Sequence, residues 1–133
     1  MNGNSILVDT NIAIFLLNGD HDLAEILNEK KLFVSFVTQL ELLGYAKITH
    51  LQEKLIENML SYCVVVDINS AIKSEVIRLK RSYKIKLPDS IIAATAIYLD
   101  LPFMTADKGF RRIEELNLIN AFFIHAPAVH VVR

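Results

Sequence analysis

Short, apolar, β-branched runs alternate with longer stretches of helical spacing along nearly the whole chain, and this alternation is the strongest constraint on its fold. Strands are predicted at residues 6–8, 32–37, 64–66, 102–105 and 121–124. Helices are predicted at residues 10–17, 23–28, 38–46, 52–62, 70–83, 89–99 and 108–116. Leu55, Ile56, Met59 and Leu60 recur at helical spacing, as do Ile72, Val76, Leu79 and Tyr83. Asn18-Gly19-Asp20 ends the first helix, and Thr38 is a candidate cap for the third. Leu87-Pro88 breaks the chain, because a residue before proline is driven to extended geometry. Residues 89–99 are apolar nearly all round and read as a buried helix. Strand–helix alternation of this kind argues for a parallel sheet with helices on both faces. With 133 residues, 53% hydrophobic, the chain is read as a single domain over residues 1–133. Residues 126–133 read as a C-terminal arm, and no internal repeat, low-complexity segment or linker is visible.

Parallel sheets bind ligands beyond the carboxyl ends of their strands. Four acids fall where that edge is expected. Asp9 follows Ile6-Leu7-Val8, Asp107 follows Pro102-Phe103-Met104-Thr105, Asp89 opens a helix, and Glu41 lies about one turn into another. Carboxylates near a core are costly unless paired, protonated or bound to metal. If the four converge they repel: two unit charges ~4 Å apart cost roughly 4 kcal/mol at an effective dielectric of ~20. A hard divalent cation removes that cost, and oxygen ligands suit Mg²⁺ or Mn²⁺.

Each acid also has a plainer reading. Asp9 would cap the helix after it, although Thr10 and Asn11 offer the same service. Asp89 would cap its helix and complement the dipole. Asp107 would be a turn residue and Thr105 only a strand residue. Glu41 sits between Leu40 and Leu42, where a surface glutamate is less expected; its plain reading is a helix edge.

Two basic clusters flank these acids in sequence: Lys80, Arg81, Lys84 and Lys86 before Pro88, and Lys108, Arg111 and Arg112 after Asp107. Taken singly each is a solvated helix residue; together they are candidates for phosphate contacts beside a metal site. Such contacts would have to be local, because the net charge is only −1. His21, His50, His125 and His130 lack metal-ligand spacing and read as surface or tail residues. No GxGxxG, P-loop, G-x-S-x-G or CxxC occurs, so dinucleotide, nucleotide-triphosphate, serine-hydrolase and thiol-redox readings lack support. The lone Cys63 excludes an intrachain disulfide and reads as a small core residue. No signal peptide is visible, and residues 90–99 are too short an apolar run to span a bilayer. The expectation is a cytoplasmic protein without a membrane partner.

The segments Leu7-Val8-Asp9-Thr10-Asn11, Thr38-Gln39-Leu40-Glu41-Leu42, Leu87-Pro88-Asp89-Ser90-Ile91-Ile92-Ala93-Ala94-Thr95-Ala96 and Thr105-Ala106-Asp107-Lys108-Gly109-Phe110 resemble, in order, those of PIN-domain ribonucleases. The resemblance is in particular to VapC-type toxins of toxin–antitoxin pairs. The first and third segments are the specific ones. The resemblance implies a three-layer α/β/α sandwich on a central parallel sheet and Mg²⁺- or Mn²⁺-dependent endonucleolytic cleavage of RNA. It implies that Asp9, Glu41, Asp89 and Asp107 form the acidic metal site, with Thr105 and Asn11 as polar support. It also implies a homodimer held inactive by a cognate antitoxin. The tail beyond Phe123 matches no motif.

Two rivals remain at this stage. One is a PIN-like fold used only for docking or regulation. The other is a phosphoacceptor receiver or haloacid-dehalogenase-like phosphatase. Against the second, Asn11 stands where the phosphatase pattern needs a second Asp, and Lys108 falls in a loop where a receiver needs a strand lysine.

Overall fold

The computed structural model describes residues 4–121. Strands β1 (Ser5–Val8), β2 (Lys31–Ser35), β3 (Val64–Val66), β4 (Phe103–Thr105) and β5 (Leu118–Asn120) form one sheet in the order β3-β2-β1-β4-β5, and every pairing is parallel. Around it pack helices α1 (Thr10–Leu17), α2 (His21–Ile26), α3 (Phe36–Leu43), α4 (His50–Ser61), α5 (Ser70–Ser82) and α6 (Leu87–Leu99). This is the expected α/β/α sandwich. A receiver has the order 2-1-3-4-5, so the topology excludes the receiver form of the second rival.

Strand alternation explains the two cores. Side chains on successive residues leave a strand on opposite faces. Leu7, Phe33 and Phe103 enter one core with Ile72, Val76 and Leu79 of α5 and Ile92, Ala93 and Ala96 of α6. Ile6, Val8, Val34 and Met104 enter the other with Ile12 of α1, Leu23 of α2, and Ile56 and Leu60 of α4. Helix α3 serves both, through Val37 and Leu42. The strands read as continuous apolar runs because both faces are covered.

Several boundaries differ from the sequence expectations, each for a local reason. Phe36 and Val37 were expected to end β2 and instead open α3. The Ser35 hydroxyl accepts from the Val37 amide at 3.1 Å and caps the helix there. Thr38 is therefore not a cap but a fully buried residue of the first turn. Leu87 and Pro88 are the first residues of α6, not a break before it. Proline is tolerated in a first turn, whose amides have no intrahelical partner. The expected helix over residues 108–116 shrinks to a 3₁₀ turn, Lys108–Arg112. The last strand begins at Leu118 and Ala121 follows it; residues 122–124 and the 126–133 arm lie outside the described residues.

Cys63 is half-buried, burial pushes its thiol pKa up, and it donates to the Met59 carbonyl, as a small interior residue would. No helix among the described residues is long and apolar enough to cross a membrane.

Candidate active site

The chain leaves β1 towards β2 on one side, and later crosses over to β4 on the other. The carboxyl ends of β1 and β4 thus form the point where connections diverge, the usual place for a crevice. Asp9 is the first residue beyond β1, and Thr105 ends β4 with Asp107 two residues on. Helices α3 and α6 bring in Glu41 and Asp89. All four acids, with Thr10, Asn11, Ile14, Ile92 and Phe110, line one depression of about 190 Å³. They come from four separate segments of the chain.

Asp9 forms the floor. It is 4% exposed, and both carboxylate oxygens are engaged. Oδ1 accepts from the Ile12 amide at 2.9 Å, capping α1. Oδ2 accepts from the Thr105 hydroxyl. The Thr105 oxygen in turn accepts from the Asp107 amide at 2.9 Å. Asp9 therefore both caps α1 and lines the depression, so capping does not compete with a place at the candidate site. Burial drives its pKa from 3.8 to about 6; the bonds from Thr105 and Ile12 hold it down, and the charges of Asp107 and Asp89 push it up.

Asp89 is half-buried in the first turn of α6. It does not cap: no side chain caps that helix. Burial raises its pKa, the charges of Asp107 and Glu41 add to the rise, and Lys86 opposes it. Asp107 is exposed and its Oδ1 accepts from the Gly109 amide at 2.8 Å, closing the 3₁₀ turn.

Glu41 is exposed on the rim, as is its neighbour Leu40, so the apolar sequence around it does not mark burial. A second hydroxyl pair orients it. The Thr10 hydroxyl donates to Glu41 Oε1 at 2.6 Å and lies 3.0 Å from the Thr38 hydroxyl. Thr10 has one proton, which goes to Glu41, so Thr38 donates to Thr10. Thr10 and Thr38 orient Glu41, a role the sequence reading missed, since it took both only as candidate caps. The available signal was spacing: Thr10 follows Asp9, and Thr38 lies one helical turn before Glu41. Asn11 is exposed and lines the depression.

The acids line one depression, and their charges act on one another. Among the described residues, no three of Asp, Glu, His or Cys form a ready-made metal set. The donor chemistry nonetheless suits a hard divalent cation: carboxylate oxygens only, their charges pressing on one another. His21 and His50 open α2 and α4 and do not line the depression.

The structure regroups the basic residues. Lys84, Lys86 and Arg112 line a neighbouring depression with Asp89 and Asp107, and Lys80 joins them in a larger groove. Arg81, Lys108 and Arg111 line none of these.

The Thr105 relay gives a direct test. Thr105→Val keeps the shape but leaves the Asp107 amide without its acceptor and Asp9 Oδ2 without its donor. The expected loss is about 1–3 kcal/mol of unfolding free energy in urea, whereas Thr105→Ser stays within about 1 kcal/mol of the parent. Equal stability of the two variants would sink the relay.

Comparisons with known proteins agree with this architecture. The PIN domain family model matches residues 6–116. A toxin–antitoxin complex from Klebsiella pneumoniae contains a chain 32% identical, with a TM-score of 0.74, over 86% of this chain and 95% of that one. VapBC-1 from nontypeable Haemophilus influenzae matches at 25% identity and a TM-score of 0.71, over 87% of this chain and 97% of that one. VapBC2 from Rickettsia felis, bound to a DNA fragment from its promoter, shares the fold at 21% identity and a TM-score of 0.77, over 87% and 98%. Comparison with curated proteins gives no match.

Proposed function

The chain belongs to the PIN domain family, and from that premise we propose that it is a Mg²⁺- or Mn²⁺-dependent endoribonuclease. The observation that carries the reading is the convergence of Asp9, Glu41, Asp89 and Asp107, from four separate segments, on one depression at the sheet's switch point. Four acids in one small space are expensive for a folded chain and serve metal-assisted hydrolysis well. Asp9, Asp89 and Asp107 would hold the cation, with Glu41 as a further ligand or as the group that orients water.

The cation, when bound, supplies charge to polarise the scissile phosphodiester and to activate water. The chain's own groups do the rest. Thr105 fixes the direction of the Asp9 carboxylate, and Thr10, backed by Thr38, fixes that of Glu41. Asn11 adds a polar rim group. Preset orientation of this kind lowers the reorganisation needed as charge develops in the reaction.

We further propose that the protein is the toxin of a toxin–antitoxin pair, acts in the cytoplasm, forms a homodimer, and is held inactive by its cognate antitoxin. The 32% identity to a chain of the Klebsiella pneumoniae toxin–antitoxin complex supports the toxin–antitoxin part of this reading. Exposed apolar residues such as Leu40, Leu51, Tyr62 and Ile77 are compatible with protein interfaces.

The test is cleavage of total cellular RNA by the purified chain with Mg²⁺ or Mn²⁺, with EDTA, and beside Asp89→Asn. Discrete fragments are expected only with metal and parent protein, and the variant should lose on the order of 10²-fold or more in rate. Intact RNA in every lane, from folded and antitoxin-free protein, would favour the non-catalytic docking reading.

A further inference from the structure

Three depressions on the carboxyl edge share walls. The acidic one meets a second, of about 200 Å³, through Asp89, Asp107 and Phe110. The second meets a third, of about 750 Å³, through Lys84, Ile85, Lys86 and Arg112, with Lys80 and Tyr83 completing the third. A continuous path therefore leads from four carboxylates to four cations. It joins the two basic clusters, which are far apart in sequence.

The cations on this path have different surroundings. The turn over residues 83–86 links α5 to α6 and is clasped from two sides. Lys80 Nζ, from the last turn of α5, donates to the Ile85 carbonyl at 2.5 Å. Arg112 Nη1, from the end of the 3₁₀ turn after Asp107, donates to the Lys84 carbonyl at 2.9 Å. Lys84 and Lys86 are carried on the clasped turn, exposed, and line both the middle and the basic depressions.

We propose that the RNA strand on one side of the cleaved bond lies in this groove, with Lys84 and Lys86 contacting its phosphates and Lys80 and Arg112 positioning the turn that carries them. The proposal rests on the ribonuclease reading and assigns the flanking part of its substrate site. Its physical basis is charge balance. A phosphodiester brought to four carboxylates is repelled, and contacts to phosphates beyond the reacting one hold the strand in place. The protein as a whole, at a net charge of −1, cannot supply that attraction, so it must be local. Arg81, Lys108 and Arg111 lie off the path and have no part in it.

The experiment is fluorescence anisotropy of a short labelled single-stranded RNA of mixed sequence, titrated with the full chain in EDTA at salt concentrations from about 50 to 200 mM. Each phosphate contact on a single strand contributes about 0.7 to the slope of log affinity against log salt. Lys84→Gln and Lys86→Gln should each weaken binding several-fold and reduce the slope by about that amount. Arg112→Gln, whose amide is too short to reach the Lys84 carbonyl, should weaken binding with the slope unchanged, and Arg112→Lys, long enough to bring an N–H there, should restore it. Arg81→Gln should change neither. Failure of the parent to bind at low salt would overturn the proposal. So would parental slopes in both lysine variants, or a drop in slope for Arg112→Gln equal to theirs. Because binding is read without metal, such a failure leaves the cleavage assay to judge the nuclease reading separately.

Discussion

Asp9→Asn is expected to abolish metal-dependent cleavage while making the metal-free protein more stable at neutral pH. The carboxyl is buried on the floor of the depression and its pKa rises from 3.8 to about 6, chiefly through desolvation. The folded state therefore holds a proton that the unfolded chain releases between about pH 4 and pH 6. Stability from this group is fully present below about pH 4 and declines as pH rises through about 6. Above that, the buried charge costs about 3 kcal/mol relative to a neutral group. Asparagine removes the charge and keeps an oxygen for the Ile12 amide. It loses the charged acceptor of the Thr105 hydroxyl, which offsets about 1 kcal/mol. In EDTA near pH 7.5 the variant should melt on the order of 5 °C above the parent, and near pH 4 the advantage should vanish. Added Mg²⁺ or Mn²⁺ should raise the melting temperature of the parent and not of the variant. A variant less stable than the parent at pH 7.5 in EDTA would show that the Asp9 charge stabilises the fold, and the site argument would lose its physical basis.

Phe103→Ala should lower the free energy of unfolding by about 3–5 kcal/mol, read from urea denaturation. Phe103 is fully buried in β4, two residues before Thr105. Its ring meets that of Phe110 edge-on, with centroids 5.0 Å apart and planes at 75°. Phe110 sits in the 3₁₀ turn and lines both the acidic and the middle depressions. Removing Phe103 leaves a cavity beneath the strand that supplies the Thr105–Asp9 bond and releases the turn that follows Asp107. Such a loss is a large part of the 5–15 kcal/mol typical of a domain. The variant should therefore lose cleavage on warming at a lower temperature than the parent. A cost below about 1 kcal/mol would mean that the core closes over the gap and that this ring does not support the site.

The sequence by itself indicated the alternation of strands with the α-helices, the covered parallel sheet they form, and four acids that share one depression. Two physical regularities made these legible. Apolar runs at strand length between helical spacings require a parallel sheet covered on both faces, as at Ile6-Leu7-Val8 and Phe33-Val34. A charged residue placed one or two residues after such a run, like Asp9 or Asp107, falls at the carboxyl edge whatever the details of packing. What only the tertiary structure decided depends on contacts between residues distant in sequence. Whether Phe36 and Val37 extend a strand or open a helix was settled by the Ser35 cap and by Val37 reaching the core, which outweigh local β-propensity. The pairing of Thr105 with Asp9, 96 residues apart, follows from the adjacency of β1 and β4, and that of Thr10 with Glu41, 31 apart, from the packing of α1 against α3. The joining of Arg112 to the Lys84 turn is likewise a contact between distant segments. Local pattern records which face a residue prefers; it holds no information about which hydroxyl, amide or cation the fold sets opposite it.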